Sequence, residues 1–291
     1  MFKRVSKNTW LLHLTVVIWG FTGILGALIS TSALHLVWYR VMIAAFALFI
    51  FLSLKRRSIK ISKKQLIQYF LTGGIVGLHW VLFFESIKVS TVSVGLVCLS
   101  SATLFTALLE PLAKGRKVAI TDIFAGLIII LGIYLIFTFE SDYILGISLG
   151  IIAALLASIF AIINSKLIQK GSAPLISFYE MLGATLWISA YMLITDRFDQ
   201  GLLLSQSDLI FLLILGVICT AMAYVVAVAV MRELSAFTVA LATNLEPVYG
   251  ILLAWIFFGS AEQMSLGFYV GAVIVLGTVF LYPFFKPKGR P

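Results

Sequence analysis

Residues 10–29 read WLLHLTVVIWGFTGILGALI, twenty positions without one Asp, Glu, Lys or Arg. A helix of about 20 apolar residues matches the ~30 Å hydrocarbon core of a bilayer. Lys3-Arg4-Val5-Ser6-Lys7 precedes the run. The run is too long for the apolar region of a signal peptide, and no small-residue cleavage site follows it, so it reads as a retained first span. Nine further runs of the same kind follow, at roughly 34–54, 66–84, 90–111, 119–139, 143–165, 174–195, 209–230, 236–258 and 265–285. The narrowest break is Glu85-Ser86-Ile87-Lys88; joining the runs on either side would give a helix too long for any bilayer. Barrel strands would be about 10 residues long and alternate in polarity. The expected fold is therefore all-α and integral to the membrane, with ten transmembrane helices.

Composition agrees. Of the 291 residues, 62% are hydrophobic and 11% charged, against about 25% charged in soluble domains. The net charge of +9 does not imply nucleic acid, because the basic residues form no stripe with interleaved aromatics. They cluster between apolar runs. With the N-terminus inside, cytoplasmic segments hold 18 of the 21 Lys and Arg, among them Lys55, Arg56, Arg57, Lys60, Lys63 and Lys64. Outer segments hold only Lys88 and Arg197, and carry Glu140, Asp142, Asp196, Asp199, Asp208 and Glu262. The positive-inside rule places both termini in the cytoplasm, and losing one span would invert every later loop. Cys98 and Cys219 lie in apolar runs with no metal-ligand spacing nearby, so they read as small core residues.

The two halves resemble each other. Gly126-Leu127-Ile128-Ile129-Ile130-Leu131-Gly132 matches Gly271-Ala272-Val273-Ile274-Val275-Leu276-Gly277. At nearly the same offset Lys88 falls on Arg232, Phe105 on Tyr249, and Trp38-Tyr39-Arg40 on Phe178-Tyr179-Glu180. Five spans per half make the second half enter the membrane from the opposite side. Inverted repeats of this kind mark secondary transporters, with the substrate site near the midplane.

Charged residues inside spans are costly and usually face the bundle interior or a water-filled cavity. Three stand out: Arg40, Glu180 and Glu246. Arg40 and Glu180 read either as charge contacts on opposite sides of one cavity or as hydrogen-bonded glue between helices. Glu246 lies near the middle of its span and is followed by Pro247, which kinks the helix and frees the carbonyl four residues back. A carboxyl group there suits a proton or cation site; the alternative is a neutral acid bonded across helices. Ala242, Tyr249 and Gly250 are placed on its face. Glu110-Pro111 is not the repeat equivalent and reads as an interfacial helix end. His79, followed by Trp80, could titrate near neutral pH, though a satisfied core histidine is the commoner arrangement. Trp19-Gly20 and Tyr249 are placed for an aromatic cavity, which suits an amphipathic or apolar small molecule. Gly73 with Gly77, and Gly267 with Gly271, have the spacing of close helix packing.

Together these features resemble the EamA family of the drug/metabolite transporter superfamily. The residues that carry the resemblance are Trp19-Gly20, Arg40, the stretch 126–132 and Asn244-Leu245-Glu246-Pro247 with Tyr249, within about 10–283. It implies two five-helix EamA-like repeats, residues 1–141 and 142–291. It also implies a central cavity, and peripheral fifth and tenth spans. Ala102-Thr103 stands where such proteins often carry proline, so the first half is expected to lack the kink of the second. The resemblance implies export or exchange of small metabolites.

The expected function is secondary transport of a small organic solute, an amino acid or amphipathic compound, across a bacterial inner membrane by alternating access. A lipid flippase or sugar-nucleotide carrier on the same fold is the alternative, although phosphates would want more buried cations than Arg40. No catalytic cluster, cofactor motif or metal site points to an enzyme. The expected partners are the solute and membrane lipid, not nucleic acid. Proton coupling at Glu246 and facilitated exchange are both compatible with the sequence, which does not give the oligomeric state.

Overall fold

The computed structural model describes residues 7–199 and 202–285; Lys3, Arg4, Lys286, Lys288 and Arg290 of the orientation argument lie outside them. The described residues are helical and contain no strand. In order they form α1 (Lys7–Leu28), α2 (Ala33–Leu54), α3 (Lys63–Lys88), α4 (Val92–Ser100), α5 (Ala102–Ala113), α6 (Ile120–Phe139), α7 (Ile144–Leu167), α8 (Ala173–Ile194) and α9 (Gln206–Leu213). A π-helical stretch, Ile214–Met222, leads into α10 (Ala223–Val230), followed by α11 (Ala236–Thr243), α12 (Leu245–Phe258) and α13 (Leu266–Phe285).

Eight helical stretches are long and apolar enough to cross a membrane: Trp10–Leu28, Ala33–Leu54, Lys63–Lys88, Val92–Ala113, Ile120–Phe139, Ser141–Leu167, Gln206–Val230 and Ala236–Glu262. The chain is an integral, multi-pass membrane protein. Of the ten expected runs, two fall short of that test. α8 has the length, 22 residues, but its apolar character is diluted by Ser177, Tyr179, Glu180, Thr185 and Ser189. At the C-terminal end the stretch that qualifies as a shorter apolar helix is Leu266–Leu281. The expected gap at 85–88 also moves: those residues finish α3, and the chain turns at Val89 instead.

Starts and stops follow local chemistry. Ser32, Ser62, Thr91, Ser205 and Ser235 each accept a hydrogen bond from the amide three residues on, filling an orphan donor of the first turn. The break between α4 and α5 at Ser101 corrects the expectation that the first half stays unkinked. No proline is needed. The hydroxyls of Ser100 and Ser101 donate to the carbonyls of Val97 and Cys98, three residues back, and compete with the helix's own ladder. The matching break, at Asn244 between α11 and α12, lies directly across. Asn244 Nδ2 donates to Ala240 O and to Thr103 Oγ1, and Thr103 Oγ1 donates to Ala240 O.

Helices pack in pairs that exchange the halves. α1 lies on α12 as α7 lies on α4 and α5; α3 crosses α7 and α8 as α10 and the π-helical stretch cross α1 and α2. α2 meets α8, α4 meets α12, and α6 meets α13. In the last pair a Cβ on Gly132 would stand 2.9 Å from Gly271 O, and one on Gly271 2.6 Å from Gly132 O. Only glycine lets these backbones touch. The outer faces of this pair are apolar and exposed, at Leu127, Ile130, Leu131, Val270 and Val273, as lipid contact requires.

Polar ties join the helices at both ends of the bundle. At the end where α1 stops, Asp208 accepts from Ser30 N and Oγ, and Lys88 Nζ donates to Ile29 O at 2.8 Å. There Glu262 accepts from Val92 N, Ser93 N and Ser93 Oγ. At the end where α1 begins, Arg232 donates to Ile168 O and Gly171 O, and Glu110 accepts from Phe237 N at 3.0 Å and from Lys114 Nζ at 2.7 Å. Glu262 and Glu110 cap the first turns of α4 and α11, helices of the other half, where backbone amides are unpaired, while Asp208 ties the loop between α1 and α2.

A cavity between the halves

A cavity of about 120 Å³ lies inside the bundle. It takes side chains from α1, α2, α3, α4, α5, α7, α10, α11 and α12, whereas α6, α8, α9, α13 and the π-helical stretch do not line it. Arg40, His79 and Phe83 form its deep end, and Thr106, Met231 and Val239 line it toward the end of the bundle where α1 begins.

Arg40 comes from α2 and is 1% exposed. A bare guanidinium there would be prohibitive; three contacts hold it. Its Nε donates to Thr220 Oγ1 at 2.6 Å, and its Cζ lies 4.1 Å from the centre of the Trp80 ring and 5.3 Å from that of Phe84. Desolvated cation–π contacts contribute about 2 kcal/mol or more. Thr220 reaches this position because the π-helical stretch shifts the register, with Thr220 Oγ1 donating to Leu215 O five residues back. Such bulges recur at functional sites. Arg40 Nη1 has no hydrogen-bond partner.

Glu246, 5% exposed, faces the same cavity from α12, with Pro247 beside it. It forms no direct ion pair with Arg40. Aromatic walls complete the site. Trp19 Nε1 donates to Cys219 O at 3.0 Å, which fixes the indole. Trp80 packs edge-on to Tyr224 at 5.8 Å. His79 also lines the cavity, yet it is a satisfied histidine: Nδ1 donates to Ala153 O at 2.8 Å, and the ring stacks on Phe83.

Six of the eight residues singled out from sequence therefore meet here: Trp19, Arg40, His79, Trp80, Glu246 and Pro247. Tyr249 does not. It follows Glu246 by three residues, but its Cβ lies against Gly20 of α1, and the residue is 36% exposed and does not line the cavity. Glu180 does not line the cavity either. It is wholly buried behind the wall, its Oε2 accepting from Tyr224 Oη at 2.9 Å and Asn164 Nδ2 at 3.3 Å. Sequence reasoning missed Asn164 and Thr220, and met Asn244 only as part of the stretch that carries the resemblance. A small polar residue in each apolar run was the available signal.

Comparison with known proteins agrees with this architecture. The model of the EamA-like transporter family matches the chain twice, over residues 7–138 and 144–283. An "Uncharacterized transporter" of Archaeoglobus fulgidus is 25% identical over 283 residues, covering 95% of this chain and 97% of that one. The "Uncharacterized transporter YdfC" of Bacillus subtilis is 26% identical over 272 residues, covering 90% and 86%. A solved crystal structure superposes with a TM-score of 0.70 over 98% of this chain and 100% of its own, at 12% identity, a likeness of fold alone. A multi-pass bundle, a buried cavity between two similar halves and a family match across both halves lead to one conclusion: the chain is a membrane transporter and belongs to the EamA-like transporter family.

Proposed function

We propose that the chain is a secondary transporter that moves a small zwitterionic or amphipathic metabolite, of amino-acid size, across the cell membrane by alternating access. The observation that carries this is the pairing of Arg40, with its unpartnered Nη1, and Glu246 in one aromatic-walled cavity. A carboxylate satisfies the guanidinium, an ammonium satisfies the carboxyl, and Trp19, Trp80 and Tyr224 cover the rest of the solute. Size supports the choice. An apolar cavity of ~150 Å³ holds one benzene molecule, and this one is about 120 Å³. A nucleotide sugar is far larger and would need more than one buried cation.

Ten spans in two inverted five-helix repeats, residues 1–141 and 142–291, are part of the proposal. The two family matches, the half-exchanging helix pairs and the facing breaks at Ser101 and Asn244 support it. So do the paired end contacts, Lys88 on Ile29 against Arg232 on Ile168. The basic loops favour cytoplasmic termini. On that orientation the cavity reaches toward the cytoplasm, and the ties of Asp208, Lys88 and Glu262 close the outside.

The test is counterflow of labelled L-amino acids into proteoliposomes. Saturable uptake is expected, with the apparent KM raised roughly 10-fold or more in Glu246→Gln, since a hydrogen bond to a charged group is worth about 1.5–3 kcal/mol. Unchanged KM would remove Glu246 from the site. The outer tie is separately testable. Glu262→Ala leaves the Val92 and Ser93 amides without their acceptor and favours outward opening. Ser100→Cys, in a Cys98→Ala/Cys219→Ala background, is then expected to react several-fold faster with an impermeant thiol reagent added outside. An unaltered rate would show that Glu262 is not part of the outer closure.

A further inference from the structure

Glu180 is the most deeply buried carboxyl among the described residues, and it lies outside the solute site. It is 0% exposed on α8, and among the described residues no Lys, Arg or His forms an ion pair with it. Its oxygens meet neutral groups only: Oε2 accepts from the Tyr224 hydroxyl and the Asn164 amide, and Oε1 has no partner. Two further buried acceptors nearby also lack partners, Asn164 Oδ1 and Ser177 Oγ, the latter one turn away on the same face of α8. A carboxylate with no counter-charge in a dry interior is costly, whereas a carboxylic acid supplies the donor this group lacks. Glu246 differs, because Arg40 shares its cavity.

We propose that Glu180 is a proton-binding site, loaded from the solute cavity through Tyr224 and coupled to transport. The charges around it leave that role open. From α3 the titratable group on the facing side is Tyr69, one turn before Gly73, which packs against the Glu180 backbone; α10 offers Tyr224 and α7 the neutral Asn164. α2 turns Arg40 toward Thr220 and Trp80 instead, and sends His35 and Tyr39 to the carbonyls of Arg197 and Leu202. Tyr224 is the link, because it lines the cavity and also donates to Glu180. In loading, a hydronium in the cavity gives a proton to Tyr224 Oη while the tyrosine's own proton passes to Glu180 Oε2. Release reverses both transfers and returns the proton to water. Coupling has a route as well: Arg40 stacks on Trp80, and Trp80 packs on Tyr224. A solute carboxylate drawn to Arg40 therefore presses on the side chain that carries the proton.

The coupling half of this inference rests on the transporter reading; the proton site does not. Infrared difference spectra of the purified protein over a pH titration should show the C=O stretch of a protonated acid. The band is expected to vanish in Glu180→Gln and to shift in Tyr224→Phe. A band that survives Glu180→Gln overturns the site, whether or not any solute is transported. In proteoliposomes, an imposed pH gradient should raise wild-type uptake of labelled L-amino acids several-fold over uptake without a gradient. That ratio is expected to fall to one in Glu180→Gln, whatever the absolute rate. A wild-type ratio of one, or a ratio unchanged in the variant, overturns the coupling. Absence of saturable uptake in wild type, with the Glu180 band present, would instead count against the transport reading alone.

Discussion

Arg40→Ala is expected to lower the initial rate of solute counterflow by at least ~100-fold, with the folded protein still recovered from the membrane. Charge-assisted hydrogen bonds are worth about 1.5–3 kcal/mol each, and a carboxylate bound by the guanidinium fork loses two of them. The rest of the guanidinium is already engaged. Nε is held by Thr220 at 2.6 Å, and the plane sits over Trp80 at 4.1 Å, so the free edge is oriented before any solute arrives. Preorganisation of this kind cannot be restored by a mobile water. Folding should suffer less than transport, because the substitution also removes a charge that is expensive to bury. Arg40→Lys separates the two roles: a point ammonium keeps the charge but loses the fork and the stacking. Its rate is expected to fall between wild type and Arg40→Ala. Equal rates for wild type and Arg40→Ala would mean that the arginine only ties α2 to the π-helical stretch.

The arginine also shows which parts of this molecule can be read from sequence. A charge inside an apolar run must face the bundle interior, so Arg40 and Glu246 could be assigned to the core without coordinates. Trp19 and Trp80 followed from their places in the runs. Helix ends were legible to within a few residues because charged and turn residues punctuate the apolar runs. Convergence across the sequence was not legible. Asn164, Glu180 and Tyr224 meet from three helices, 16, 44 and 60 residues apart in pairs, and nothing in apolar text sets their relative rotation. The repeat suggested that Arg40 and Glu180 would share one cavity, but Tyr224 stands between Glu180 and the open space. Tyr249 failed for a smaller reason: three residues of helix leave a side chain about 60° short of a full turn from Glu246, enough to turn it from the cavity. The break at Ser101 was hidden because proline was taken as the only breaker, whereas two serine hydroxyls serve as well.

Gly73→Ala is expected to destabilise the protein by about 1–3 kcal/mol or more, while Gly277→Ala leaves it unchanged or raises it by up to about 1 kcal/mol. Both are single methyl additions to a helical glycine in a membrane bundle, so helix propensity favours each. The surroundings decide otherwise. A Cβ on Gly73 would stand 2.2 Å from Glu180 O and 3.0 Å from Ala184 N, both backbone atoms that cannot rotate aside. The same crossing is tight from the other side, where a Cβ on Gly183 would meet Phe70 O at 2.8 Å and Phe70 Cα at 3.0 Å. Neither helix can yield without pressing on the other contact, so α3 and α8 must separate. That separation would also pull on the turn of α8 that carries Glu180. At Gly277 nothing lies within 4 Å of the added carbon. Thermal unfolding in detergent at a fixed scan rate compares the two, and the midpoint for Gly73→Ala should fall by several degrees. Equal midpoints would mean that the α3–α8 crossing is loose, and a loose crossing could not hold Glu180 against Tyr224 and Asn164 in the dry arrangement its proposed role requires.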